Sequence, residues 1–241
     1  MFGARVIVKR GSKDEGEKPF WISFSDLMTA LMVLFLLVMS VALLAVTKTV
    51  DEAERLKAER DREIDALLTR VEQAAAEYPG ISVDRERRTV NFGEKARFDT
   101  DSSQLAPEKA KELRAFVPKI LAIAQGELGR KWLKRIVVEG YTDRRGTYLH
   151  NLNLSLKRSQ RVLCVLLGAP QSDEQPLTDE ERAQIQSLFL VGGYSFNSAK
   201  TSFEESRRIE LRLEFLSIGE RRNTTDDSIA SSFGECEVSG K

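Results

Sequence analysis

Residues 27–46 read LMTALMVLFLLVMSVALLAV, twenty residues without a charge, a glycine or a proline. At about 1.5 Å per residue, a helix of this length spans roughly 30 Å, the thickness of the hydrocarbon core of a bilayer. Phe20 and Trp21 precede the run, where aromatic side chains commonly lie at the membrane surface. The pattern predicts a single transmembrane helix over residues 19–46, and the run is too long for a cleavable signal peptide.

Asp26 directly precedes the apolar run and shares a helical face with Ala30 and Val33. One interpretation is a helix N-terminal charge, solvated among lipid headgroups and favoured by the helix dipole. The other is an intramembrane carboxylate that takes up and releases a cation, since acids inside membranes usually mark ion pathways. The position of Asp26 in the sequence leaves both open.

The overall composition excludes several classes of function. Lys and Arg together number 37, as do Asp and Glu, so no basic excess indicates a nucleic-acid partner. One histidine, His150, and two cysteines, Cys164 and Cys236, match no metal-ligand spacing, and no nucleophile–base pair is evident. We therefore expect no metal, no cofactor and no enzymatic activity. Cys164 and Cys236 could form a disulfide outside the cytoplasm, and two unpaired thiols are the open alternative.

Charged segments flank the apolar run on both sides. Residues 1–18 hold five basic and three acidic residues and are predicted to be a short cytoplasmic tail. Residues 47–78 lack glycine and proline and are predicted to continue the helix. Their apolar positions favour a parallel coiled-coil dimer, with a solvated single helix as the alternative. The predicted seam comprises Leu43, Val46, Val50, Ala53, Lys57, Arg60, Ile64, Leu67, Val71, Ala74 and Tyr78.

Pro79 and Gly80 end this helix, and a compact domain is predicted over residues 79–218. Strands separated by helices predict an α/β fold, an α+β sandwich large enough for its own core. The predicted elements are a hairpin at 81–84 and 89–92, a helix from Pro107, a strand at 136–141, a helix at 153–167, a capped helix from Thr178 and a closing strand at 209–215. Residues 219–241 are predicted to be a flexible tail.

The clearest chemical signal of this domain lies in GYTDRRG, residues 140–146, and NLNLSLKR, residues 151–158. Asp143 follows a strand and Arg158 lies early in the next helix, so one pocket can receive both side chains. A carboxylate, a guanidinium and the amide of Asn151 suit a zwitterionic amino-acid head. A surface ion pair between Asp143 and Arg158 is the alternative.

These motifs, followed by SRRIEL at 206–211, resemble the C-terminal peptidoglycan-binding domain of the OmpA and MotB families over about residues 81–216. The resemblance implies that Asp143 and Arg158 hold the diaminopimelate of a peptidoglycan stem peptide. It also implies that Asn151, Arg208 and Thr100 belong to the pocket. The sequence departs from the family at Tyr141, where His is usual, and by an insertion at residues 171–183.

The stretch WISFSDLMTALM, residues 21–32, resembles the single-span subunits of the MotB, TolR and ExbD group of ion-driven rotary motors, and in particular the motor subunits of Zorya anti-phage defence systems. The resemblance implies that Asp26 carries the ion. It implies an inner-membrane protein with a cytoplasmic N-terminus and a periplasmic C-terminal domain. It also implies a ZorA-like multi-span membrane subunit as partner, five copies around two of this chain. The apolar neighbours of Asp26 offer no ligand set for Na⁺, which favours protons. The alternative function is a passive cell-wall tether without ion transport.

Overall fold

The computed structural model describes residues 18–168, 176–222 and 233–234. The chain divides into two compact units, one up to Lys57 and one from Ala58 onward. The predicted cytoplasmic tail, residues 1–18, lies outside the described residues except for Lys18.

The first unit contains the N-terminal part of α1, Lys18–Ala76. Within the described residues, α1 is the one helix long and apolar enough to cross a membrane, with a mean hydropathy of 2.8 over its most apolar window. Residues 23–50 are all exposed. The hydroxyls of Thr29 and Ser40 donate to the carbonyls of Ser25 (3.0 Å) and Leu36 (2.7 Å) on the same helix. The helix thus satisfies its own polar groups, as a bilayer requires.

The C-terminal part of α1 belongs to the second unit, and this corrects the predicted linker. Ile64, Leu67 and Val71 are buried in the core of the domain, not exposed for a second helix. Pairing of two chains through residues 64 and 71 is therefore wrong, and the domain begins at Ala58 rather than at residue 79. The physical reason is that a helix packed on its own domain needs the same apolar stripe as a coiled coil. Pairing within residues 47–57 stays a prediction.

Ion pairs hold this part of α1 on the domain. The guanidinium of Arg85 lies 2.5 Å from both Asp65 and Glu72. The indole of Trp132 donates to Glu63 on the same helix (2.5 Å). Contacts at both ends of the packed segment fix its orientation on the domain.

The domain contains the strands β1 Ser82–Asp84, β2 Thr89–Asn91, β3 Leu133–Gly140, β4 Phe189–Gly193 and β5 Ile209–Phe215. They form a five-stranded sheet at its centre, with strand order β1-β2-β5-β3-β4. The β3–β4 pair is parallel, and the three other pairs are antiparallel. The predicted hairpin and closing strand are confirmed. β4 was not predicted, because its five residues include Gly192 and Gly193 and show no alternation.

Helices cover one face of the sheet and supply most of the core. The predicted helix from Pro107 is confirmed and buries Leu113, Phe116 and Ile120. The predicted capping box is confirmed at Thr178 and Glu181. The mixed α/β fold class is therefore confirmed. The remaining helices of the domain are a short 3₁₀ helix Gly93–Ala96, α2 Pro107–Gln125, α3 Glu127–Trp132, α4 Tyr148–Leu167, α5 Asp179–Leu188 and α6 Phe203–Ser206.

Part of the predicted flexible tail contacts the domain. Glu220 forms an ion pair with Lys134, and Arg222 donates to the carbonyls of Gly129 (3.1 Å) and Leu133. The tail is therefore held at least as far as Arg222. Farther along, the guanidinium of Arg182 lies 5.5 Å from the ring centre of Phe233.

Cys164 of α4 is disulfide-bonded. Its predicted partner, Cys236, lies outside the described residues, so the pairing stays a prediction. The insertion predicted at 171–183 is described from residue 176 onward, where it forms the start of α5.

Candidate ligand-binding site

The end of β3 lies unusually close to α4. A side chain at Gly140 would place its Cβ 2.0 Å from the carbonyl oxygen of Ser155, so only glycine permits this approach. The following loop turns at Gly146, whose φ is +90°, and α4 then begins after Thr147. This geometry brings the loop after β3 and the first turns of α4 to the same edge of the sheet.

A cavity of about 220 Å³ opens at that edge. It is lined by four of the five residues predicted to bind peptidoglycan, all except Arg208, and by two arginines that were not predicted, Arg145 and Arg207. The polar side chains that line it are those of Thr100, Asp101, Thr142, Asp143, Arg145, His150, Asn151, Arg158 and Arg207.

Asp143 is the buried anion of this cavity. Its Oδ2 accepts hydrogen bonds from Arg145 Nη2 (2.7 Å) and Arg207 Nη1 (3.1 Å), and its Oδ1 accepts from the backbone N–H of Arg145 (3.0 Å). Burial raises the pKa of the Asp143 carboxyl, but the hydrogen bonds from Arg145 and Arg207 outweigh it and lower the pKa to about 2. Asp143 is therefore charged at neutral pH and suited to hold a cation.

Arg158 is fully buried and held by backbone carbonyls. Its guanidinium donates to Tyr141 (2.7 Å), Ser102 (2.9 Å) and Asp99 (3.1 Å). It also lies 5.0 Å from the ring centre of Phe98. Burial, and then the nearby charge of Arg207, lowers the pKa of Arg158 to about 10, so it stays protonated at neutral pH. Three donated bonds leave two of its five N–H groups for a ligand.

Asn151 supports the loop that carries Asp143. Its side-chain amide donates to the carbonyl of Arg145 (2.7 Å). Thr100 lies across the cavity and accepts from Arg145 Nη2 (3.2 Å). A hydrogen bond between His150 Nε2 and Asp101 Oδ1 (2.7 Å) lies at the same rim. The loop is thus fixed by contacts from both sides of the cavity.

Arg208 does not line this cavity, which corrects the sequence analysis. Its Nε lies 2.7 Å from Glu210, and its guanidinium lies 4.3 Å from the ring centre of Tyr141. Arg207 lines the cavity instead. Both residues precede β5, and their side chains have different partners: Arg208 pairs with Glu210, and Arg207 pairs with Asp143.

Tyr141, the position where the family usually has His, also points away from the cavity. Its hydroxyl donates to Glu139 (2.6 Å), and its ring stacks on Tyr194 at 5.4 Å. Burial, and then the bond to Glu139, raises the pKa of Tyr141. Only its backbone carbonyl contributes to the site, through Arg158. The side chain of Tyr141 is therefore not part of the cavity lining.

Asp26 belongs to the first compact unit, which runs to Lys57. It lies in α1 and is exposed there. Its carbonyl accepts from the hydroxyl of Thr29 (2.9 Å), which lies one turn farther along the helix.

Two families match this chain. The OmpA family matches residues 97–175, which include Asp143 and Arg158. The family described as "Membrane MotB of proton-channel complex MotA/MotB" matches residues 8–59, which include Asp26.

The chain is 45% identical to Zorya protein ZorB of Escherichia coli O139:H28 (strain E24377A / ETEC), over 94% of this chain and 93% of the relative. It is 39% identical to a peptidoglycan-associated lipoprotein of Mesorhizobium japonicum, over 36% of this chain and 45% of that one. Among solved structures, it is similar to the periplasmic domain of Helicobacter pylori MotB (15% identity, TM-score 0.37, covering 54% of this chain and 76% of that one).

Proposed function

This chain belongs to the family of Zorya protein ZorB, and from that premise we propose that it is the wall-anchoring subunit of a proton-driven rotary motor in anti-phage defence. Its α1 spans the inner membrane with the N-terminus in the cytoplasm, and its OmpA-like domain binds peptidoglycan in the periplasm.

The observation that carries the anchoring role is the convergence of Asp143 and Arg158 on one cavity. A diaminopimelate head carries an ammonium and a carboxylate on one carbon. Asp143, charged at neutral pH, holds the ammonium. Arg158, whose buried guanidinium retains free N–H groups, holds the carboxylate by charge-assisted hydrogen bonds. Asn151 and Thr100 keep the surrounding loops in place.

The motor role rests on the position of Asp26 and on the family match over residues 8–59. Asp26 takes up a proton from one side of the membrane and releases it to the other. One elementary charge that crosses 100 mV supplies about 2.3 kcal/mol. The partner is a ZorA-like multi-span subunit, five copies of which surround the spans of two of these chains. Alternate protonation of the two Asp26 carboxyls then rotates the ring of five partner subunits around the two copies of this chain, which their periplasmic domains fix to the cell wall.

Pull-down on purified peptidoglycan tests the anchoring role. Asp143→Ala and Arg158→Ala should each abolish co-sedimentation, because each leaves one charged group of the ligand unmatched. Arg144→Ala is the matched control, since Arg144 lies in the same loop, is exposed and does not line the cavity. Wild-type co-sedimentation by a well-folded Asp143→Ala variant would refute the proposed pocket.

A further inference from the structure

The cavity already contains a cation bound to Asp143, the side chain of Arg145. Its Nη2 and Nε lie 2.7 and 3.3 Å from Asp143 Oδ2, where the ammonium of a ligand would have to bind. The same guanidinium donates to Thr100 (3.2 Å) and lies 4.8 Å from the ring centre of Phe203. Arg145 thus spans the cavity from the Asp143 side to the Thr100 side.

The other arginine on Asp143 is held differently. The side chain of Arg207 is only 11% exposed, and its Nε donates to the carbonyl of Phe98 (3.0 Å). The side chain of Arg145 is 49% exposed. Its backbone is fixed by Asn151 and by its own N–H bond to Asp143, so only its side chain is free to turn. A ligand ammonium that enters the cavity therefore displaces Arg145 and not Arg207.

This exchange has a consequence for the ligand. A plain amine replaces one cation on Asp143 by another and leaves the displaced guanidinium without an anion. It also enters a cavity in which three guanidiniums, those of Arg145, Arg158 and Arg207, already face the two carboxylates of Asp143 and Asp101. A ligand that brings its own carboxylate beside the ammonium supplies the anion that Arg145 has lost.

We propose that Arg145 is a specificity-determining residue. When a ligand ammonium binds Asp143, the side chain of Arg145 moves from Asp143 to the ligand carboxylate. The cavity therefore selects an amino acid head with a free carboxylate over the corresponding amine or amide. The inference rests on the proposed peptidoglycan-binding function and names the chemical form of the wall that this chain recognises: stem peptides with an unamidated diaminopimelate. Arg158 donates to the same carboxylate from the buried side, and Arg145 donates to it from the solvent side.

Calorimetric titration of the full-length chain in detergent tests this selection. The two probes are a diaminopimelate-containing stem peptide and the same peptide with the diaminopimelate carboxyl amidated. The wild-type chain should prefer the free acid roughly tenfold or more, a ratio that corresponds to about 1.4 kcal/mol. Arg145→Gln, which keeps a polar side chain but removes the charge, should lower this ratio several-fold, and Arg158 should retain the remainder. It should bind the amidated peptide at least as well as the wild type, because Asp143 is then free of its competitor.

Two further variants sharpen the result. Arg144→Gln removes a charge from the same loop outside the cavity and should keep the wild-type ratio. Arg145→Lys retains the charge without the planar fork and should keep only part of the ratio. An unchanged ratio in Arg145→Gln, with both peptides still bound, would overturn the role of Arg145 and leave the binding function standing. Failure of the wild-type chain to bind either peptide would overturn the binding function and this inference with it.

Discussion

Replacement of Leu67 by Ala tests whether the end of α1 belongs to the domain. Leu67 is 1% exposed and lies in the same core cluster as Phe116 of α2. Truncation of a fully buried Leu costs about 2–5 kcal/mol, because transfer energy is lost and a cavity is left behind. Leu67→Ala should therefore lower the free energy of unfolding of the domain by that amount. Gln73→Ala, at an exposed position of the same helix, should change it by less than about 0.5 kcal/mol.

The assay is urea unfolding of a fragment that begins at Ala58, the first residue of the second compact unit, followed by circular dichroism at several protein concentrations. Packing within one chain predicts a midpoint that is independent of concentration. A coiled coil through residues 64 and 71 predicts a midpoint that rises with concentration, because association stabilises the folded chains. A concentration-dependent midpoint, together with a Leu67→Ala effect no larger than that of Gln73→Ala, would refute the packing described above.

Two other predictions concern the domain. Because the pKa of Asp143 is lowered from 3.8 to about 2, its interactions stabilise the fold fully above pH 3.8, by about 2 kcal/mol at most, and are lost as the pH falls through 2. The difference in unfolding free energy between wild type and Asp143→Asn should thus shrink between pH 4 and pH 2, and a constant difference would contradict the assignment. A Cys164–Cys236 bond should appear in non-reducing mass spectrometry, and its removal by Cys164→Ser should destabilise the domain by about 2–4 kcal/mol. Two free thiols in oxidised protein would contradict that pairing.

The parts of the fold that local chemistry determines could be predicted from the sequence. The apolar run 27–46, the capping box at Thr178 and the alternation in β5 each depend on residues close together in the chain. The packing of α1 could not be predicted, because an apolar stripe indicates that one face of a helix is buried but does not show which surface buries it. α4 begins five residues before the predicted start, since the Thr147 hydroxyl caps it by accepting from the N–H of His150 (3.4 Å).

The cavity was predicted in outline and missed in detail. The spacing of the motifs predicted a pocket with Asp143, Asn151 and Arg158, and the family resemblance added Thr100. The family resemblance selected Arg208, whereas the neighbouring Arg207 lines the cavity. The position of Arg145 on Asp143 depends on how the loop turns at Gly146, and this is set by three-dimensional contacts.

Ion flux through the reconstituted complex tests the motor account most directly. The full-length chain and its ZorA-like partner would be placed in liposomes and proton uptake followed with a pH-sensitive dye. Asp26→Asn keeps the size and hydrogen bonding of the side chain but cannot change charge, so it should assemble normally and conduct no protons. Asp51→Asn, the next acid along α1 beyond the apolar run, should conduct like the wild type. Sodium-dependent flux would reverse the choice of ion, and full proton flux through Asp26→Asn would contradict the account and leave a passive tether.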